Sequence, residues 1–148
     1  MEVSMQKQLY TTIGIVILLS AMGVSAKAQS PNQRLSAKIP FAFNVGNTAF
    51  PAGEYEVTCT NPASSARILQ FRQKGGDAKV LIQTNDKLGR VQESAKLVFH
   101  RYGDRYFLAQ AWMQAESTGL VVPKSREEKN AERHLSGMKM STAAVAMK

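Results

Sequence analysis

The sequence predicts an all-β fold: a small antiparallel barrel or sandwich of about six strands, followed by a short C-terminal helix. Three observations carry that prediction. Apolar residues recur at period two in several runs of five to eight residues. Pairs rich in Gly, Pro and Asn punctuate those runs at short, even spacing. No strand–helix–strand rhythm is visible, which argues against a parallel α/β sheet.

The elements follow in order. Gln29 to Ala37 is polar, contains Pro31, and reads as a loose leader. In KIPFAFNVGN, Ile39, Phe41, Phe43 and Val45 fall on one face, a strand with Pro40 near its start, where a missing N–H is tolerated. Gly46-Asn47 is a turn pair, and Pro51-Ala52-Gly53 a second turn. Tyr55, Val57 and Cys59 then alternate with Glu54, Glu56 and Thr58, giving a second strand with one wet face. After the loop Asn61-Pro62-Ala63-Ser64-Ser65, ARILQFRQ is a third strand, and Lys74-Gly75-Gly76-Asp77 closes it. AKVLIQTN is a fourth, and the polar stretch Asp86 to Glu93 reads as a longer loop. KLVFHRY and RYFLAQAWM are the last two, joined through Gly103-Asp104, the composition of a type II′ hairpin turn. Glu116-Ser117-Thr118-Gly119 reads as a strand break and LVVP as a short apolar hinge. Ser125 is a plausible N-cap, with Glu127 and Glu128 in the first turn behind it. Ala131 and Leu135 are nearly the whole apolar surface of that helix, so it should be solvated or lightly docked.

The chain of 148 residues has a one-domain length, but its first stretch reads as something other than the domain. Lys7 precedes a twelve-residue apolar run, Ile13 to Val24, and Ala26-Lys27-Ala28 has the A-x-A form of a cleavage site. Together these predict a secretory signal peptide over 1–28, too short in its apolar part for a membrane span. No cysteine stands at the cleavage point, so a lipid-modified N-terminus is not expected. The expected organisation is signal peptide 1–28, flexible leader 29–37, β domain 38–115, linker and short helix 116–136, and disordered tail 137–148. Export to the periplasm or the extracellular space follows, with no stable membrane span after cleavage.

Removing Lys7, Lys27 and Glu2 from the 19 basic and 11 acidic residues leaves 17 and 10, a net of +7. That balance favours an anionic surface or polymer as partner, although the partner's identity is not written in the sequence. The charge is spread over strands and tail, which does not fit a nucleic-acid patch. The single cysteine, Cys59, excludes an internal disulfide and reads as a small buried strand residue. Cys59, His100 and His134 have no metal-ligand spacing, and no cofactor motif, GxSxG, P-loop or HExxH is present. No metal or cofactor is expected.

The densest stretch is KLVFHRYGDRYFLAQAW, residues 96–112. With Gly103-Asp104 as its turn, Tyr102 opposes Arg105, Arg101 opposes Tyr106, His100 opposes Phe107 and Phe99 opposes Leu108. Strict alternation then puts Leu97, Phe99, Arg101, Tyr106, Leu108, Gln110 and Trp112 on one face. An aromatic-rich hairpin, with arginines stacked on tyrosines, accounts for this composition as architecture. The binding reading places a small-ligand or carbohydrate site at Arg101, Tyr102, Tyr106, Trp112 and His100, with Trp112, Tyr106 and Phe99 as a sugar platform. The enzymatic reading is a hydrolase in which His100 is the general base, helped by Asp104 or by a carboxylate from another strand. The residues favour a non-enzymatic envelope or periplasmic binding or structural module, with those two as alternatives.

Four motifs carry a resemblance: I-P-F-x-F-x-V-G at Ile39 to Gly46, P-A-G-x-Y at Pro51 to Tyr55, F-x-x-Y-G-D-x-Y-F-L at Phe99 to Leu108, and P-K-S-x-x-E at Pro123 to Glu128. With them the chain resembles, over roughly residues 38–134, a recurrent group of small exported, uncharacterised bacterial proteins. The resemblance implies export and a β-rich domain, and carries no catalytic residues.

Overall fold

Alternation of apolar and polar residues produces two sheets that bury one face each. The computed structural model describes residues 34–61, 64, 66–135 and 140–148. The expected signal peptide, 1–28, and residues 29–33 of the expected leader lie outside them.

The first sheet has the order β1-β4-β5-β6, formed by β1 (Arg34–Ile39), β4 (Gly53–Thr60), β5 (Ile68–Gln73) and β6 (Lys79–Gln83), all antiparallel. The second has the order β11-β8-β9-β10-β7, formed by β11 (Ser141–Ala146), β8 (Lys96–Tyr102), β9 (Arg105–Trp112), β10 (Thr118–Val121) and β7 (Asn85–Leu88). The hairpin of β2 (Phe43–Val45) and β3 (Thr48–Phe50) joins it through one parallel bridge, Asn44 to Phe107. The sheets are not closed into a barrel, and the all-β architecture is sandwich-like. At one corner Ser36 and Lys148 exchange backbone hydrogen bonds of 2.7 and 2.9 Å. At another the chain crosses from β6 to β7 through Thr84, whose N–H and hydroxyl both donate to the Arg67 carbonyl.

Eleven strands stand among the described residues where about six were expected. The first expected strand is cut in two at Pro40, which lacks an N–H and disfavours the geometry a continuing ladder needs. Ile39 is buried in the first sheet, and Phe43 and Val45 in the second. Strand β1 also reaches back to Arg34, into the expected leader. The expected loop at 86–93 begins with β7, and the expected break and hinge at 116–123 contain β10, which pairs with both β7 and β9. The expected disordered tail contains β11, paired with β8 along its whole length. These three segments have no strong alternation of their own, and each is a strand because a neighbour supplies its ladder.

The core is aromatic. Phe43 lies 5.5 Å from Phe50, 5.1 Å from Tyr55, 6.4 Å from Phe71 and 5.4 Å from Phe99, ring centre to ring centre. Leu69, Leu97, Leu108 and Leu120 are buried in the same cluster. The Tyr55 hydroxyl donates to the Pro51 carbonyl, so the one buried phenol of this cluster is satisfied.

The late hairpin has the expected register from its turn outward. Gly103 takes φ +61°, and the pairs Tyr102–Arg105, Arg101–Tyr106, His100–Phe107 and Phe99–Leu108 form. A bulge then intervenes: Val98 opposes Gln110, and Ala109 is extra. Beyond it the faces exchange. Ala111 and Met113 enter the core beside Leu97, while Trp112 turns to the outer side. Trp112 is nevertheless covered. A Cβ on Gly119 would come within 2.7 Å of its ring and one on Gly89 within 2.5 Å, so both glycines make room for the indole.

The C-terminal strand seals the edge of the core. Met147 is 5% exposed and belongs to the main cluster, and Val145 packs against it. Met147→Ala should therefore cost about 2–5 kcal/mol, the usual range for a buried methionine. Urea unfolding measures this; a frayed terminus would register no change.

Candidate functional site

Helix α1 (Arg126–His134) starts where its sequence says it should. Ser125 has extended backbone and its Oγ accepts from the Glu128 N–H at 3.1 Å, while Glu127 and Glu128 occupy the first turn. Ser125-x-x-Glu128 has the capping-box form. Here the Glu128 carboxylate turns instead to the outer face of β8. Its Oε1 lies 2.7 Å from His100 Nδ1 and accepts from the Tyr102 hydroxyl at 3.4 Å. Residues 128, 131 and 135 share one helix face, and Ala131 and Leu135 pack with Tyr102 and Phe107. The helix is thus docked over a small area, with a buried carboxylate at its N-terminal end.

The electrostatics follow from that burial. Only 3% of the Glu128 side chain and 19% of the His100 side chain are exposed. The Glu128 carboxyl and His100 Nδ1 are within hydrogen-bond distance, and this contact fixes the orientation of the imidazole ring. Burial raises the Tyr102 phenol above its usual value, and the nearby Glu128 charge adds to it. Lys124 donates to Glu132 at 2.7 Å, which raises the ammonium and lowers the exposed carboxyl. Arg105 Nη2 donates to Glu127 at 3.0 Å and its guanidinium lies 5.1 Å from the Phe107 ring centre.

The five residues expected to form one binding cluster occupy three places. His100 and Tyr102 face α1. Arg101 donates from Nε to the Gly103 carbonyl at 2.8 Å and lies 5.5 Å from the Tyr106 ring centre. Tyr106 is stacked on Phe41 at 3.9 Å and 15°. Trp112 lies beyond the bulge, on the other face from Tyr106, and donates from Nε1 to Gln110 at 3.0 Å. The proposed sugar platform is therefore not assembled: Phe99 is fully buried, and the bulge moves Trp112 away. The partner of His100 is neither Asp104 nor a strand carboxylate, but Glu128 of the helix. Sequence reasoning missed Glu128, Lys124 and Glu132. The signal was the spacing of Glu128 from Ala131 and Leu135, which puts a carboxylate on the same helix face as the apolar stripe, at its N-terminal end.

Cys59 is buried, and burial first pushes its thiol up, against formation of a thiolate. Arg67, 17% exposed, reaches toward Asp86 at 3.4 Å and Glu116 at 3.7 Å, tying the β5 end to the second sheet. Among the described residues no group of three or more His, Cys, Asp or Glu is placed to hold a metal, and no helix is long and apolar enough to cross a membrane. No family model matches the chain, and no curated protein or solved structure matches it either.

Two outcomes follow for this network. A double-mutant cycle on His100→Ala and Glu128→Ala, read by urea unfolding, should give a coupling of about 0.5–3 kcal/mol. Tyr102 is raised in the folded state, so its contribution is present below about pH 10 and lost as pH rises through the folded value. Tyr102→Phe should lower stability at neutral pH but flatten its fall above about pH 10, as urea midpoints across pH will report.

Proposed function

We propose that this is an exported, non-enzymatic envelope or periplasmic binding or structural module that meets an anionic surface or polymer through exposed cations. The carrying observation is the outer face of the first sheet. It presents Arg34 and Lys38 from β1, Arg72 from β5 and Lys79 from β6 as exposed side chains. Glu54 and Glu56 are the carboxylates of the same face; Glu54 is taken by Lys74 at 2.9 Å and Glu56 by Arg34 at 3.5 Å. Arg72 and Lys79 stand directly opposite one another across β5 and β6. Like charges so placed repel, and an anion laid over them relieves that. The internal partners of Arg101, Tyr106 and Trp112 support the non-enzymatic side of the reading, and the resemblance to exported bacterial proteins supports its location.

One observation favours the alternative hydrolase. A carboxylate on Nδ1 orients His100, which is the positioning half of the arrangement general-base chemistry uses. His100→Ala separates the two readings, because it ends hydrolysis and leaves charge-driven binding intact.

The binding reading has its own test. Affinity for dextran sulfate, followed by titration calorimetry, should be lost between about 0.1 and about 1 M salt as the screening length falls from about 10 to about 3 Å. Arg72→Glu combined with Lys79→Glu should weaken it at low salt. Binding that ignores both changes overturns the reading.

A further inference from the structure

We propose that β6 is a self-association edge, through which two copies of this chain pair antiparallel into one continuous sheet. Among the described residues β6 pairs with β5 alone, so its other side offers unpaired N–H and C=O groups. Sheet edges are normally blunted by charge, proline, a bulge or shortness. The free edge of the second sheet, β7, follows that rule: it is four residues long and carries Asp86 and Lys87. The first sheet's edge does not. β6 is Lys79-Val80-Leu81-Ile82-Gln83, with its one charge at the end and no proline.

Both faces of β6 are apolar at its middle. Leu81 points outward and is 57% exposed. Val80 and Ile82 point inward against the core but stay half-buried, because the sheet stops there. A second copy completes all three positions. With the two-fold axis at Leu81, Leu81 meets its own counterpart on the outer face. Val80 meets Ile82 of the other copy on the inner face, extending both cores. Lys79 then opposes Gln83, so no like charges face one another. An isologous contact needs this self-complementarity, and the five-residue strand has it in the register that pairs its whole length. The pairing joins two four-stranded sheets into one of eight.

The occupant is a second copy because the strand complements itself in backbone pairing and in side-chain size, and brings no like charges together. The full chain, run by sedimentation equilibrium over a range of concentrations, should show a monomer–dimer equilibrium. Leu81→Lys puts like charges face to face at the axis and should return the chain to monomer mass, with its far-ultraviolet circular dichroism retained. Leu88→Lys changes a still more exposed leucine on β7 and should leave the dimer in place. Leu81→Cys should give a disulfide-linked dimer on oxidation, since Cys59 is buried and Leu81 lies at the axis. Monomer mass at all concentrations, a dimer that survives Leu81→Lys, or one lost equally in Leu88→Lys overturns the proposal.

Discussion

Phe43 is the point on which the sandwich depends. Its ring touches rings from β3, β4, β5 and β8, so one side chain joins both sheets. Neither sheet could stand alone. Each has one apolar face, and a chain with a single cysteine has no disulfide to hold that face shut. Burial against the opposite sheet is the available source of stability, and it requires the chain to cross between sheets early. Pro40 makes that crossing. By ending β1 it lets Ile39 serve the first sheet while Phe43, four residues on, serves the second.

The same constraint explains why the late hairpin is decorated without being a site. Its inner face near the turn is core, closed by Phe41 stacked on Tyr106. Its outer face would leave Tyr102 and Phe107 in water, and α1 covers them. The helix has too little apolar surface to dock by burial alone, so Glu128 adds hydrogen bonds to His100 and Tyr102. A buried carboxylate is costly to desolvate, and its two partners offset that cost. The polar residues that make residues 96–112 look chemical are largely the fasteners of a helix to a sheet.

The bulge at Ala109 has a comparable effect at the far end. One extra residue reverses which side chains face inward, bringing Ala111 and Met113 into the core and sending Trp112 out. An outward tryptophan then needs cover, and Gly89 and Gly119 allow the loop and β10 to lie against it. Two glycines that read as a loop and a strand break are spacers for one ring.

What the sequence determined by itself is local. Alternation in Tyr55-Val57-Cys59 and Leu69-Phe71, the turn at Gly103-Asp104, the first half of the hairpin register and the Ser125 cap all depend on residues a few positions apart. They were legible for that reason. The candidate site was legible only in part: His100 and Tyr102 stood out, but Glu128 is 28 positions from His100 and nothing local joins them. Tertiary structure decided β7, β10 and β11, whose ladders come from strands elsewhere in the chain. It decided the bulge as well, which strict alternation cannot contain. Strand pairing and side-chain burial are non-local, so they exist only once the two sheets have met.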